Sequence, residues 1–79
     1  MKLTDLPAFA PAHVTGVIDT HDGDLISNRL RDLGFVDREE IRVVGRGPIG
    51  ADPLLIQIGF TRFALRRSEA SRVLVEKAA

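Results

Sequence analysis

The sequence predicts a small, mainly β domain: an antiparallel barrel of about five short strands with one short α-helix and one helical turn. Three observations lead there. Seven glycines and four prolines punctuate the chain, so the segments between turns are short. Most of those segments alternate apolar and polar residues, the period of a half-buried strand. Only residues 25–33 place apolar side chains at helical spacing. The chain of 79 residues is long enough for one hydrophobic core and too short for two. It contains no cysteine, which excludes disulfides, thiolate catalysis, iron–sulfur ligation and cysteine zinc sites, and fits a reducing compartment.

Each element has a local reason. Residues 1–11 form an extended arm, because Pro7 and Pro11 forbid a regular helix through them. Leu3, Leu6 and Phe9 can dock that arm on the body, residues 12–79, which make a single domain. Residues 13–18 read as the first strand, and Gly16 within it suggests a bulge or a close backbone approach. Residues 19–24 (D-T-H-D-G-D) make a polar turn, with Asp22 or Asp24 ready to cap the helix that follows. In that helix Ile26, Leu30 and Leu33 share one face. Gly34 suits the left-handed residue that stops a helix, and Phe35 would pack back onto Leu30.

Everything beyond Phe35 reads as strand and turn. Residues 39–46 and 54–58 form two strands joined by residues 47–53, a loop with two glycines and two prolines. Residues 63–67 form the next strand, residues 68–71 one helical turn capped by Ser68, and residues 73–76 the last strand. Five strands with this little helix describe a barrel of the SH3-like type, whose closure also hides aggregation-prone edges.

Composition and motifs narrow the chemistry mainly by exclusion. Eleven basic and eleven acidic residues balance to zero, which disfavours a dedicated nucleic-acid binder. Residues 1–28 nonetheless set Lys2 against Asp5, Asp19, Asp22 and Asp24, leaving the basic excess in the rest of the chain. Arg62, Arg66, Arg67 and Arg72 cluster there without an obvious aromatic for base stacking. No apolar run approaches a membrane span or a signal peptide, so a soluble cytoplasmic protein is expected. Gly45, Gly47 and Gly50 match the spacing of the dinucleotide fingerprint. That motif requires a helix to begin within it, and here Pro48, Asp52 and Pro53 lead into a strand, so a hairpin is expected.

A hydrolytic triad is not expected, because both histidines lie near the N-terminal end and no aromatic-lined cleft is in view. His13, His21, Asp22 and Asp24 are the candidate ligands for a weakly held divalent transition metal, Fe2+ or Mn2+. The simpler role for the 19–24 turn is to start the helix. A calcium loop fails because its twelfth position falls on Leu30 or Leu33 instead of a glutamate. The outer face of the helix and the glycine-rich hairpin remain, and they suit a protein-binding module. The candidate contact residues are Arg29, Arg31 and Asp32 on the helix with Pro48, Ile49, Gly50 and Asp52 at the hairpin.

The motifs R-L-R-D-L-G-F (29–35), V-V-G-R-G-P-I-G (43–50), D-P-L (52–54), A-L-R-R-S-E-A (64–70) and V-L-V-E (73–76), preceded by H-V-T-G-V (13–17), resemble the FeoA family in order and spacing. Asp37-Arg38 stands where that family usually has a Pro-Gly turn, and Ala51 lengthens the hairpin by one residue. The resemblance implies an SH3-like barrel without enzymatic activity, in the cytoplasm. Its implied partner is the cytosolic G-protein region of the ferrous-iron transporter FeoB, with a role in assisting or regulating iron uptake. The same domain closes metal-dependent repressors that look like DtxR, so a transition-metal-binding regulatory module is the alternative.

Overall fold

The structure, a computed structural model, describes residues 1–50 and 52–78. Five strands and two helices follow in order: β1 (Ala12–Val17), α1 (Leu25–Leu33), β2 (Glu40–Ile49), β3 (Asp52–Ile58), β4 (Thr61–Leu65), α2 (Arg67–Ala70) and β5 (Val73–Lys77). A 3-10 turn over Leu3–Asp5 precedes them. The strands form one antiparallel sheet in the order β4-β3-β2-β1-β5. The expected mainly β, SH3-like architecture is therefore present, with one difference: the sheet does not close, and β4 and β5 are its edges. The arm covers the edge at β5. Lys2 bridges Leu74, and the Val75 N–H donates to the Met1 carbonyl at 2.8 Å. This pairing blunts an edge that would otherwise offer unpaired amides.

One core holds the molecule together. Val14 of β1, Ile41 and Val43 of β2, Leu54 and Ile56 of β3, and Val73 and Val75 of β5 alternate inward at the strand period of two. Leu30 of α1, Phe35 and Leu65 complete it. Leu3 and Leu6 dock fully buried, whereas Phe9 stays 64% exposed. The bulge expected in the first strand occurs: the β1–β5 register shifts between Val14 and Gly16. A Cβ at Gly16 would meet nothing within 4 Å, so the glycine serves the bulge and not a close approach.

The β2–β3 hairpin is longer than residues 47–53 suggested. Strand β2 runs on through Gly45, Gly47 and Pro48 to the Ile49–Asp52 pair, with register shifts between Val43 and Gly45 and between Arg46 and Ile49. The three glycines of the misleading fingerprint have separate duties. Gly50 takes a positive φ of 62° at the tip. A Cβ on Gly47 would land on the Asp52 carbonyl and 2.7 Å from Pro53 Cδ. Gly45 makes only an ordinary approach to Leu55. Ala51, the extra residue of the hairpin, lies outside the described residues. Downstream, Ser68 does not cap the helical turn. Arg66 precedes it, and its N–H donates to Glu69 Oε1 at 3.0 Å, while the Arg67 N–H donates to Asp52 Oδ1 at 3.0 Å.

Candidate partner-binding surface

Helix α1 is held at both ends by interactions of known type. Asp24 is its N-cap: Oδ1 accepts from the N–H groups of Ile26 (3.0 Å) and Ser27 (3.2 Å). At the far end Gly34 is left-handed, φ 113°. Its N–H donates to the Arg31 carbonyl, and the Phe35 N–H reaches back to Leu30, both at 3.1 Å. This is the Schellman pattern. Phe35 and Leu30 are both buried in the core, and the Phe35 ring meets Phe63 with centroids 5.7 Å apart.

Between those ends, α1 is turned so that polar groups staple it to β1. The buried Ser27 hydroxyl donates to the Ile18 carbonyl at 2.7 Å. Arg31 donates to the Val17 carbonyl (2.7 Å), to Asp19 Oδ1 (3.0 Å) and to Asn28 Oδ1 (3.1 Å). Arg31 therefore positions the helix, which corrects its assignment to the outer, partner-facing side. The expected apolar face is also only partly buried. Leu30 is 2% exposed, but Ile26 is 39% and Leu33 38% exposed. Together with Phe63, Pro53 and Arg29 these two line a groove of about 410 Å³ between α1 and β4.

The other candidate contact residues divide in the same way. Arg29 and Asp32 are exposed on α1, and Pro48, Ile49 and Gly50 are exposed at the hairpin tip, Ile49 at 82%. Asp52 is committed to the first amide of α2, a structural contact that sequence did not reveal. Leu25 (79%), Val36 (45%) and Phe60, which is fully exposed, add apolar surface that periodicity did not flag. Of the four phenylalanines Phe35 is buried and Phe63 half-buried, whereas Phe9 and Phe60 are exposed.

The candidate metal ligands do not fit a metal ion. Asp24, 1% exposed, has both oxygens occupied. Oδ2 accepts from the Thr20 N–H (3.0 Å), the Thr20 hydroxyl (2.9 Å) and Arg72 Nε (3.0 Å), besides the two helix amides on Oδ1. His21 Nδ1 sits 3.0 Å from the Thr20 hydroxyl. His13 belongs to β1 and faces Glu76 of β5 at 3.9 Å. Among the described residues no three His, Asp or Glu side chains form a group able to hold a metal. Arg72, 48 positions from Asp24, is the partner that sequence reasoning placed in an exposed basic cluster; no local pattern could have joined the two.

These contacts hold the Asp24 carboxyl well below the usual carboxylate range. The Thr20 N–H is the largest influence, burial opposes it, and Arg72, the Thr20 hydroxyl and the Ser27 N–H add to it. A carboxylate with a depressed folded-state pKa stabilises the fold above its unfolded value and loses that contribution as pH falls below it. The melting temperature is therefore expected to fall below roughly pH 4. Asp24→Asn should lower it at neutral pH and flatten that acid slope. An unchanged slope, followed by circular dichroism, would contradict the assignment.

No helix among the described residues is long and apolar enough to cross a membrane. Comparison with curated protein sequences gave no match. Comparison with solved structures gave several. The crystal structure of Stenotrophomonas maltophilia FeoA complexed with zinc, described as an SH3 domain protein, is 56% identical with a TM-score of 0.88. The alignment covers 96% of this chain and 89% of that one. Iron(II) transport protein A of Clostridium thermocellum is 34% identical (TM-score 0.82), covering 98% of this chain and 45% of that one. The manganese-activated repressor ScaR shares the fold at 18% identity (TM-score 0.78), with this chain spanning 35% of its length. The model of the FeoA domain matches residues 1–77. The chain thus belongs to the FeoA family, which is associated with ferrous-iron transport.

Proposed function

We propose that this chain is a non-enzymatic cytoplasmic adaptor that regulates ferrous-iron uptake by binding the cytosolic G-protein region of the transporter FeoB. The observation that carries the reading is the uncovered apolar groove on α1 in a chain of the FeoA family. Ile26 and Leu33 stand at the helical spacing of a core face, yet each is more than a third exposed. Arg29 at the rim supplies a charge for specificity, and the exposed Pro48–Gly50 tip extends the surface. Interfaces of this kind concentrate affinity in a few desolvated apolar anchors within a polar rim.

A pull-down with the transporter's cytosolic region, loaded with GDP or a GTP analogue, tests it. The unaltered chain should be retained in at least one nucleotide state, and Ile26→Asp or Arg29→Glu should weaken retention at least about tenfold, the effect of ~1.4 kcal/mol. Both side chains are exposed enough for the fold to survive substitution. Retention in neither state, or retention indifferent to both substitutions, would contradict the proposal. The alternative of a metal-binding regulatory module draws support from the zinc-bound relative. It has less support in this chain, because His13, His21, Asp22 and Asp24 do not converge.

A further inference from the structure

A second groove, sharing no lining residue with the one on α1, holds about 1010 Å³ and runs across β1, β2 and β3. Three arginines line it: Arg38 from the turn before β2, Arg42 from β2, and Arg62 from β4. The register sets Arg42 opposite Gln57, and Gln57 opposite Arg62. Two cationic side chains therefore stand on one face of the sheet with one strand between them, about 10 Å apart at the backbone. Among the described residues none of the three arginines makes an ion pair or a side-chain hydrogen bond. Arg31, Arg46 and Arg72, in contrast, all have protein partners.

The groove also contains both non-glycine residues with positive φ among the described residues, Phe9 at 64° and Arg38 at 74°. The left-handed region penalises any residue with a Cβ, and such outliers persist only where the surroundings hold them. Here each is held by its own amide. The Phe9 N–H donates to the Val43 carbonyl at 2.8 Å and the Arg38 N–H to the Val14 carbonyl at 2.7 Å. The result is a rim that presents one exposed aromatic ring and one unpaired guanidinium beside the arginine row.

We propose that this groove docks an acidic, extended peptide segment of a protein partner, with carboxylates on Arg38, Arg42 and Arg62 and an apolar side chain against Phe9. Guanidinium forks match carboxylates in pairs. Alternating acidic and apolar residues along an extended chain suit arginines on neighbouring strands with an aromatic ring nearby. A nucleic acid fits less well. Among the described residues Phe9 is the one Phe, Tyr or Trp lining the groove, and a single strand of nucleic acid binds by stacking successive bases on several aromatic faces. The proposal stands independently of the transporter, because it invokes neither α1 nor the hairpin tip.

Fluorescence anisotropy with a short labelled peptide of alternating glutamate and leucine tests it, alongside the same peptide with glutamine for glutamate and a labelled oligothymidylate. The glutamate peptide should bind at low salt. Binding should fall at least about tenfold for the glutamine peptide, for Arg42→Glu and for Arg62→Glu. Arg38→Gly relieves the left-handed strain, so it should weaken binding while the melting temperature stays level or rises. No binding, equal binding by the two peptides, indifference to the charge reversals, or tighter binding of the oligothymidylate would each overturn the assignment.

Discussion

Phe35→Ala is expected to cost ~3–5 kcal/mol of stability, the range for emptying a buried aromatic site. Phe35 is 1% exposed and stands where three structural duties meet. Its amide closes the Schellman turn on Leu30, its ring packs against Phe63, and its side chain joins the single core of the domain. A domain of this size has total stability near the low end of ~5–15 kcal/mol. The variant should therefore melt about 12 °C or more below the parent, at ~4–8 °C per kcal/mol. Phe35→Leu, which keeps most of the volume, should lose far less. Thermal melts by circular dichroism check both. A loss under 1 kcal/mol for the alanine variant would mean that the core closes without Phe35.

Gly47→Ala is expected to be the most disruptive change within the hairpin. The new methyl would lie against the Asp52 carbonyl group, with its carbon 2.6 Å away, and 2.7 Å from Pro53 Cδ. The obstacle is backbone and a ring, which cannot rotate aside, so β2 and β3 must separate. A cost of ~1–3 kcal/mol or more follows. Gly45→Ala is the internal control: its Cβ would meet Leu55 side-chain atoms at 3.6 Å, an ordinary contact, and the melting temperature should hardly move. A phosphate-binding loop would need all three glycines for ligand approach. The hairpin instead predicts unequal thermal melts for the two substitutions. Equal losses would contradict it.

What the sequence revealed was whatever local chemistry determines. Helix α1 begins and ends where Asp24 and Gly34 place it, because an N-cap and a left-handed stop act within a few residues. The bulge at Gly16 and the hairpin in place of a nucleotide loop were legible for the same reason. What stayed hidden depends on partners far along the chain. Arg31 looked outward by helical position, but the Val17 carbonyl and Asp19 draw it inward. Asp52 looked like a free hairpin tip residue, but its carboxylate accepts from the first amide of α2. Asp24 looked like a metal ligand or a cap, and Arg72 with Thr20 fills its remaining oxygen. The apolar stripe Ile26–Leu30–Leu33 was read correctly as a stripe. Its burial was not, because Ser27 and Arg31 fix the rotation of the helix and leave two of its three members at the surface.

That half-covered stripe is the feature on which the functional reading depends. A core face would be silent toward partners, whereas a face left open beside Arg29 and Phe63 offers anchors for a protein surface. Amide chemical-shift mapping tests this most directly: the chain, labelled with 15N, is titrated with the unlabelled cytosolic region of the transporter in each nucleotide state. Shifts or broadening should concentrate on residues 25–33, on Phe63 and Ala64, and on Ile49 and Gly50 at the hairpin tip, all lost with Ile26→Asp. Perturbations confined to the Arg38–Arg42–Arg62 groove, or none in either state, would contradict it.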